Sequence, residues 1–419
     1  MKKILILGGA SVHCKLVNTA KSLGLYTIVT DYLIDSPAKK IADESWMLNI
    51  MDVDLIVEKC KNEKVDAVVS GWLDPCQKPY NAICEKLGLP CYGTFEQFHI
   101  MTDKNAFKQF CLDCNVDIIP KYDISDIINK KVSFPVFVKP NDSRGSRGQS
   151  ICYSYDELEE AIKIAKNESS SDEIVIEKYM KGKQDFSMTY FVINRIPYLI
   201  RVCDRYLGKE EDNLNKQCIG CISPSKFTSF YLNNVDIKIK SFIKKLGIIN
   251  GPVFMQGFID DDTIRFYDPG LRFPGGDYEL FLQSATGINL MELLIEFAIT
   301  GKITHTIADD LFLLNGKHAI QLDFTCRSGK ISKFVGIEEI RENKNVISSF
   351  ERYQIGETIP DSGDVRQRVF EVALLVDDKA SVSKSVKEIQ SLFDVLDENG
   401  NSMLISQLDI KMLNYNYKI

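Results

Sequence analysis

The most restrictive feature of this sequence is the alternation of apolar runs and amphipathic segments within residues 3–92. The apolar runs, which predict buried strands, are residues 3–9, 25–31, 46–49 and 65–71. The amphipathic segments, which have helical spacing, are residues 11–23, 53–62 and 79–87. Strands and helices that alternate in this way predict a parallel sheet with helices packed on it. Residues 1–93 are therefore expected to form an α/β domain.

The carboxyl ends of these predicted strands carry residues that suit a nucleotide. Gly8 and Gly9 end the first strand, and Asp31 ends the second. Ligands of open parallel sheets bind at this edge, so the three residues resemble a nucleotide site of the Rossmann kind. The third glycine of the dinucleotide fingerprint is missing, and the indication of a dinucleotide site is correspondingly weak.

Lys139 stands at the end of an apolar, β-branched run, where a strand would deliver its side chain into a cleft. The loop after it, residues 141–148, is small, polar and rich in glycine, and it contains Arg144 and Arg147. Such a loop can bend over a polyanion and point backbone N–H groups at its oxygens. The spacing matches neither common phosphate-loop motif, so an ordinary strand with a surface loop is an equal alternative on this stretch alone.

Residues 94–419 leave the βαβ rhythm for an α+β pattern. Predicted helices begin near residue 102 and cover residues 155–166, 235–246, 289–300 and 382–392. Predicted strands cover residues 187–192, 197–203, 319–324, 330–337 and 369–375, with a hairpin of residues 253–260 and 264–270.

Composition restricts the class of protein further. The 419 residues suffice for two or three domains, and the net charge of −7 has no basic block that would bind nucleic acid. No apolar run reaches transmembrane length, and the apolar start breaks at Gly8 and Gly9 with no signal-peptide cleavage site. We therefore expect a cytoplasmic protein that binds neither nucleic acid nor membrane.

Twelve cysteines include two pairs with CxxC spacing, Cys111/Cys114 and Cys218/Cys221. The first pair ends an amphipathic helix, where cysteine acts as a small hydrophobe. The second pair lies in a predicted strand, so its side chains are expected to point to opposite faces. The histidines match no ligand pattern, and reduced thiols are expected instead of a zinc site.

Four pieces in a fixed order carry a resemblance to the ATP-grasp superfamily. They are Lys104 on a helix, Lys139 with its glycine-rich loop, Glu177 at the end of an apolar strand, and a hairpin with Gln256 and Asp268 followed by Arg272. The resemblance covers essentially the whole chain. It implies a Rossmann-like domain at 1–93, an ATP-grasp domain of two α+β subdomains at 94–303 with its lid at about 133–180, and a small C-terminal α+β domain at 304–419.

The resemblance also implies a role for each matching residue in binding ATP. Lys104 and Lys139 would hold the α- and β-phosphates, and Lys139 would also act in catalysis. Residues of the lid loop would fold over the β- and γ-phosphates: Ser143, Arg144, Gly145, Ser146, Arg147 and Gly148. The hinge Glu177, Lys178, Tyr179 and Met180 would meet the adenine, with Glu177 accepting from its amino group and main-chain groups of Lys178 and Met180 reading its edge. Asp185 would bind ribose hydroxyls, and Phe258 would wall the adenine.

The metal end departs from the superfamily pattern. Family members place a glutamate on the first hairpin strand and E-x-N-x-R on the second, whereas this chain has Gln256 and then Asp268, Gly270 and Arg272. Mg²⁺ (or Mn²⁺) prefers hard, usually anionic oxygen ligands, so Asp268 is expected to hold it alone or with Gln256. Arg272 would clamp the transferring phosphoryl group or a substrate carboxylate.

The resemblance implies an ATP-dependent ligase that activates a small carboxylate, such as an amino acid, as an acyl phosphate for attack by an amine. The alternatives are a purine-pathway or carboxylase-type member (phosphoribosylamine–glycine ligase, biotin carboxylase or carbamoyl-phosphate synthetase) and a non-catalytic ATP-binding protein with a decayed metal site. Dimers are common in this branch, which makes a homodimer an expectation, and the sequence identifies neither substrate.

Overall fold

The computed structural model describes residues 1–142, 147–209 and 217–413, and its N-terminal part is the expected α/β unit. Four parallel strands lie in the order β3-β2-β1-β4. The elements are β1 (Lys3–Leu7), α1 (Cys14–Ser22), β2 (Tyr26–Thr30), α2 (Pro37–Ile41), β3 (Glu44–Trp46), α3 (Val53–Glu63), β4 (Ala67–Val69) and α4 (Gln77–Leu87). β1, β2 and β4 are almost wholly buried, as a sheet covered on its faces requires, whereas the edge strand β3 buries only Trp46.

At the edge of this sheet that resembled a nucleotide site, Gly9 and Asp31 contact other residues of the protein. Asp31 accepts hydrogen bonds from the N–H of Gly9 at 2.7 Å and from the N–H of Leu33 at 2.8 Å. A side chain at Gly9 would collide with Ser36, whose Cβ would lie 2.4 Å away. Gly9 and Asp31 therefore connect the segments that follow β1 and β2, and this contact accounts for both residues without a dinucleotide.

The next unit is a small antiparallel sheet in the order β5-β8-β6-β7, which we call the lid. The elements up to its end are α5 (Phe95–Ile100), α6 (Lys104–Asp113), β5 (Lys121–Tyr122), α7 (Ile124–Ile128), β6 (Val136–Pro140), β7 (Ser150–Cys152), α8 (Tyr155–Glu168) and β8 (Ile174–Lys178). Leu158, Ala161 and Ala165 of α8 pack on the sheet and give the lid a core of its own. The sheet begins at Lys121, ahead of the expected start near residue 133.

A large antiparallel sheet forms the floor beneath the lid. Its first strands and the helices between them are β9 (Asp185–Ile193), β10 (Ile196–Leu207), β11 (Cys218–Ser223), α9 (Thr228–Asn234), α10 (Asp236–Leu246), β12 (Gly251–Asp260), β13 (Thr263–Gly270), α11 (Tyr278–Thr286) and α12 (Leu290–Thr300). The expected hairpin is present as β12 and β13, and β12 pairs with β9.

The C-terminal part continues the same sheet. Its elements are β14 (His318–Cys326), β15 (Gly329–Lys330), β16 (Lys333–Val335), α13 (Ile337–Arg341), β17 (Val346–Glu351), β18 (Thr358–Ile359), β19 (Arg368–Val376), α14 (Lys379–Leu392), β20 (Asp394–Leu396), β21 (Leu404–Ser406) and α15 (Ile410–Leu413). Within the described ranges the path runs β13-β12-β9-β10-β11-β14-β19-β17, with β21 on β14. Since β11 pairs with β14, the sheet crosses the domain boundary placed at residues 303–304, and that boundary stays a prediction.

Across the three described ranges, the helices are all too short or too polar to span a bilayer.

Candidate active site

A cavity of about 570 Å³ lies between the lid and the large sheet. The expected site residues that line it are Lys104, Lys139, Glu177, Lys178, Tyr179, Met180, Asp185, Gln256, Phe258, Asp268 and Arg272. Of the lid loop, Ser143, Arg144, Gly145 and Ser146 lie outside the described residues. The fold therefore brings the helix lysine, the strand lysine, the hinge and the hairpin to one cavity.

Arg147 and Gly148 belong to the described part of the loop, and neither is among the residues that line the cavity. Gly148 has a positive φ of +64°, and a Cβ there would lie 2.9 Å from Pro140 Cγ and 2.8 Å from Glu168 Cβ. The close packing of the loop against the lid accounts for this glycine. Contact of Arg147 and Gly148 with phosphates stays a prediction.

Lys139, the last but one residue of β6, is almost fully buried, with 2% of its surface exposed. Its Nζ lies 2.6 Å from Glu177 Oε1 and 5.2 Å from the ring centre of Tyr267. Lys104 begins α6 and is also buried, and its Nζ donates to the backbone oxygen of Asn141 at 3.1 Å. Both lysines thus reach the cavity from rigid elements, as the strand and helix assignments predicted.

A third lysine, Lys108, completes a buried cluster that the sequence interpretation missed. Its side chain is fully buried, and its Nζ lies 2.8 Å from Glu177 Oε2. Burial raises the pKa of Glu177, but the charges of Lys108 and Lys139 outweigh burial and hold it below its ordinary value. Burial likewise lowers the pKa of Lys108, although Glu177 opposes the shift. One carboxylate between two ammonium groups leaves a net positive charge in this wall of the cavity.

The expected role of Glu177 needs correction on this point. Its two oxygens face Lys108 and Lys139, so the side chain is engaged in the cluster instead of awaiting an adenine amino group. The physical reason is that a carboxylate buried this deeply requires cationic partners. A signal for Lys108 was present, because Lys104, Phe107, Lys108 and Cys111 are the buried positions of α6 and share its inward face.

The main chain of the hinge offers one acceptor and one donor to the cavity. The N–H of Lys178 donates to the oxygen of Pro120 at 2.9 Å. In an antiparallel pair the return bond would run from residue 120 to the Lys178 carbonyl, but proline has no N–H to give. The N–H of Met180 makes no hydrogen bond within the described chain, while its carbonyl accepts from Lys183. An acceptor and a donor two residues apart suit the amino group and the neighbouring ring nitrogen of adenine.

Asp185 lines the cavity, and its carboxylate already has two partners within the protein. Arg205 Nη1 lies 2.5 Å from Asp185 Oδ2, and the Tyr267 hydroxyl donates to the same carboxylate at 3.2 Å. Burial raises the pKa of Asp185 to about 7, even though the charge of Arg205 lowers it. Phe258 stacks on Tyr267 with ring centres 5.2 Å apart and presents its other side to the cavity. Ribose binding by Asp185 and an adenine contact from Phe258 stay predictions.

The two expected metal ligands stand directly opposite each other. Gln256 of β12 and Asp268 of β13 are partners in the strand register, so their side chains share a face. The register shifts immediately after this pair, and Tyr267 is the extra residue of the resulting bulge. One carboxylate and one amide oxygen suit a single Mg²⁺ ion whose remaining ligands are water and phosphate oxygens. The residues present therefore fit a nucleotide with one metal ion.

Structural reasons explain the departures near the metal end. A side chain at Gly270 would meet Phe254 Cδ1 at 2.9 Å, so this packing excludes the asparagine of the superfamily pattern. Arg272 stacks its guanidinium 5.0 Å from the centre of the same Phe254 ring. Its Nε lies 2.6 Å from Asp74 Oδ1, which follows β4 in the N-terminal unit. Arg272 thus lines the cavity in contact with a carboxylate that sequence reasoning did not identify.

The expectation that Cys218 and Cys221 point to opposite faces is wrong. Their sulfur atoms lie 3.4 Å apart, because the register of β11 shifts around Ile219 and turns both side chains together. Cys203 completes a thiol cluster: burial raises its pKa, but a hydrogen bond from Cys221 and the charge of Arg201 prevail and lower it to about 7. Cys218 lines the nucleotide cavity, so the cluster lies beside it.

Comparison with known families matches residues 103–205 to the model described as the carbamoyl-phosphate synthase L chain, ATP binding domain. The small subunit of 2-oxoglutarate carboxylase from Hydrogenobacter thermophilus is 26% identical over 202 residues, which are 43% of each chain. The formate-dependent phosphoribosylglycinamide formyltransferase of Methanocaldococcus jannaschii is 24% identical over 194 residues, 44% of this chain and 50% of that enzyme. The matches thus span half or less of these relatives.

Two solved structures resemble nearly the whole chain. The L-amino acid ligase of Bacillus licheniformis superposes with a TM-score of 0.78 at 18% identity, covering 95% of this chain and 99% of the ligase. The biotin carboxylase domain dimer of the Hydrogenobacter thermophilus carboxylase, solved with MgADP, ADP and bicarbonate, gives 0.75 at 17% identity, covering 98% and 92%. At these identities the likeness shows the fold alone.

Proposed function

We propose that this chain, which belongs to the ATP-grasp superfamily, is an ADP-forming ligase that phosphorylates a carboxylate and transfers its acyl group to an amine. The observation that carries the proposal is that one cavity brings together three sets of residues. Gln256 and its register partner Asp268 lie there with Arg272, Lys104 and Lys139 contribute two cations, and the hinge around Met180 contributes main-chain groups. These sets suit metal, phosphates and adenine, respectively.

Each residue has a distinct task in this proposal. Lys104 and Lys139 neutralise phosphate charge, and Lys108 and Glu177 fix Lys139 in place. Asp268 and Gln256 would hold Mg²⁺, which when bound neutralises charge on the transferring phosphoryl group. Positioning and charge neutralisation suffice for phosphoryl transfer, so no nucleophilic side chain is required.

Arg272 serves the acceptor side of the transfer. Its stacking on Phe254 and its ion pair with Asp74 hold the guanidinium in the wall of the cavity, where it would contact the acyl phosphate. Acyl phosphates hydrolyse, so the reaction needs a cover against water. The lid, with its separate core, is the element suited to close over the nucleotide.

The substrates proposed are a small carboxylic acid, such as an amino acid, and an amine. Carboxylase- and purine-type reactions are the alternatives within the superfamily, since relatives of both kinds match the chain. Release of ADP and phosphate from Mg·ATP, measured with pooled acids crossed with pooled amines, separates these reactions. Release that needs one acid and one amine supports the proposal, whereas release with bicarbonate alone supports a carboxylase.

A matched pair of variants tests the metal end. Asp268→Asn removes the carboxylate and is expected to abolish turnover, whereas Asp262→Asn changes an exposed aspartate in the turn of the same hairpin and is expected to leave it intact. Near-normal turnover in Asp268→Asn contradicts the assigned ligand.

A nucleotide-binding protein without turnover is the second candidate, favoured by the neutral Gln256 and by the packing that excludes a side chain at Gly270. Gln256→Glu distinguishes the two. A large gain in Mg²⁺ affinity and ATP consumption supports a decayed site. Unchanged or reduced turnover supports a working enzyme that uses the glutamine.

We also propose a cytoplasmic homodimer. All twelve cysteines are unpaired, as a reducing compartment requires, and the Hydrogenobacter thermophilus domain that shares the fold was solved as a dimer. Light scattering of the purified protein tests the assembly state.

A further inference from the structure

A second, smaller cavity of about 20 Å³ is lined by Cys221, whose sulfur lies 3.4 Å from that of Cys218 in the wall of the large cavity. Arg201, Cys221 and Gln321 reach it from the large sheet, and Gly275 and Gly276 cover it from the segment after Arg272. Arg201 is four residues from Arg205 on β10, which places both on one face of the sheet. A space of this size accommodates a group about as large as one or two water molecules.

Arg201 is a buried cation that has no carboxylate partner in the part of the chain that the structure describes. Only 6% of its surface is exposed, and its Nε makes no hydrogen bond in the described chain. Its Nη2 donates to Cys203 Sγ at 3.0 Å, and its guanidinium lies 5.2 Å from the ring centre of Tyr278. A buried charge normally requires a paired, hydrogen-bonded counter-ion. The remaining donors suit a carboxylate, which a guanidinium binds through two parallel hydrogen bonds.

Two carboxylates in this part of the fold, Asp277 and Asp204, have other partners. Asp277 lines the same cavity, but its Oδ1 lies 2.6 Å from Lys15 Nζ. Asp204 follows on the same strand and accepts from Ser225 and from the N–H of Lys226. Besides Arg201, the cavity wall contains a second unpartnered buried group, Gln321 Oε1. The cavity therefore offers a cation for a carboxylate and an acceptor for a donor group such as an amine.

The strand register relates this cavity to the metal pair. Arg201 pairs with Thr189, and Gln256 pairs with Ser187, which is two residues along the same strand β9. Arg201 and Gln256 lie on the two strands that flank β9, at levels two residues apart. Two spacings between strands and two residue spacings along a strand place their Cα atoms about 12 Å apart. Side chains on one face of a sheet project in the same direction, so the separation leaves space above the sheet for a small molecule between Arg201 and the Gln256–Asp268 pair.

We propose that Arg201 binds a carboxylate that its substrate carries in addition to the reacting group, as an amino acid does. The inference rests on the proposed function and narrows its substrate class. Because Arg201 would contact the substrate and not the nucleotide, its removal is expected to weaken substrate binding without affecting MgADP.

The test uses Arg201→Met, which keeps side-chain length without charge, with Arg201→Lys as the conservative variant and the exposed, surface-paired Arg341→Met as control. Binding of each of the twenty L-amino acids to the MgADP complex is measured by saturation-transfer NMR, and each one that binds is compared with its carboxamide. We expect at least one amino acid to bind the wild type, with a Kd that Arg201→Met raises about 10- to 100-fold. The carboxamide should bind the wild type about as weakly as the acid binds Arg201→Met, Arg201→Lys should lie between, and MgADP affinity should not change.

The proposal is overturned if no amino acid binds the wild type, if Arg201→Met binds the acid as tightly, or if acid and carboxamide bind alike. In those cases Arg201 is a structural partner of Cys203 and Tyr278. Turnover is scored separately: Arg201-dependent binding without ADP release sinks the ligase proposal and keeps this one. ADP release with an acid whose KM is unaffected by Arg201→Met supports the ligase proposal and contradicts the role proposed for Arg201.

Discussion

Glu177→Gln is the substitution that tests the buried lysine cluster most severely. The carboxylate lies 2.8 Å from Lys108 Nζ and 2.6 Å from Lys139 Nζ, and its side chain is 2% exposed. Glutamine keeps the shape and removes the charge, which leaves two ammonium groups buried without an anion. Breaking a buried ion pair by removing one partner costs about 3–5 kcal/mol of the free energy of unfolding.

The cost of the unpaired charge is limited by pH, because one lysine can instead release its proton and become neutral. A lysine with the ordinary pKa of 10.5 can be kept neutral at pH 7 for about 4.8 kcal/mol and at pH 9 for about 2 kcal/mol. The loss in Glu177→Gln is therefore expected to be about 3–5 kcal/mol at pH 7 and about 2 kcal/mol at pH 9. A merely lost hydrogen bond would not vary between these two pH values.

Urea unfolding at both pH values measures the loss, with the exposed Glu160→Gln of α8 as the matched control. Adding Lys108→Met to Glu177→Gln removes one of the two unpaired charges and should restore much of the stability. A loss below about 1 kcal/mol at pH 7, or an equal loss at pH 9, would refute the cluster as the reason for the burial of Glu177.

Three further expectations follow from the site. The pKa of Asp185 is raised to about 7 from an ordinary 3.8, so the folded state binds more protons than the unfolded state between these pH values. The free energy of unfolding of the wild type, measured with urea, should therefore fall by at most about 4 kcal/mol relative to that of Asp185→Asn as pH rises from 4 to 7. Pro120→Ala gives residue 120 an N–H that competes for the Lys178 carbonyl, so titration calorimetry should show weaker ADP binding with stability little changed. Gly270→Asn forces a side chain against Phe254, and the loss of about 1–3 kcal/mol in unfolding free energy should shrink when Phe254→Leu makes space.

Much of the architecture follows from local sequence pattern. The parallel sheet of residues 3–69 and the hairpin of β12 and β13 lie where periodicity predicted them. Lys139 was identifiable because it stands near the end of a buried apolar strand, where a charged side chain must reach out of the core into a cleft. The turn alone does not give the register that sets Gln256 against Asp268. Counted from the turn, Gln256 would face Tyr267, and the bulge at Tyr267 shifts the pairing by one residue.

Other parts of the site depend on contacts between distant residues. The helical spacing puts Lys108 on the inward face of α6, but that spacing does not show that a lysine can be buried there, because its counter-charge, Glu177, lies on a strand 69 residues further along the chain. Arg272 and Asp74 are 198 positions apart in the chain, so no local sequence pattern indicates that they pair. The proximity of Cys218 and Cys221 arises from a bulge, which strand alternation cannot foresee. Site chemistry was therefore harder to predict than element order.

Oxygen transfer from the carboxylate to phosphate tests the central claim most directly. With the acid identified by the pooled screen and labelled with ¹⁸O in its carboxylate, turnover with Mg·ATP and the amine is followed by mass spectrometry of the released phosphate. A carboxylate that attacks the γ-phosphorus retains its oxygen on phosphorus when the amine displaces phosphate, so the account predicts one ¹⁸O in each phosphate. Phosphate without label, released at the rate of product formation, would contradict an acyl phosphate and the ligase mechanism with it.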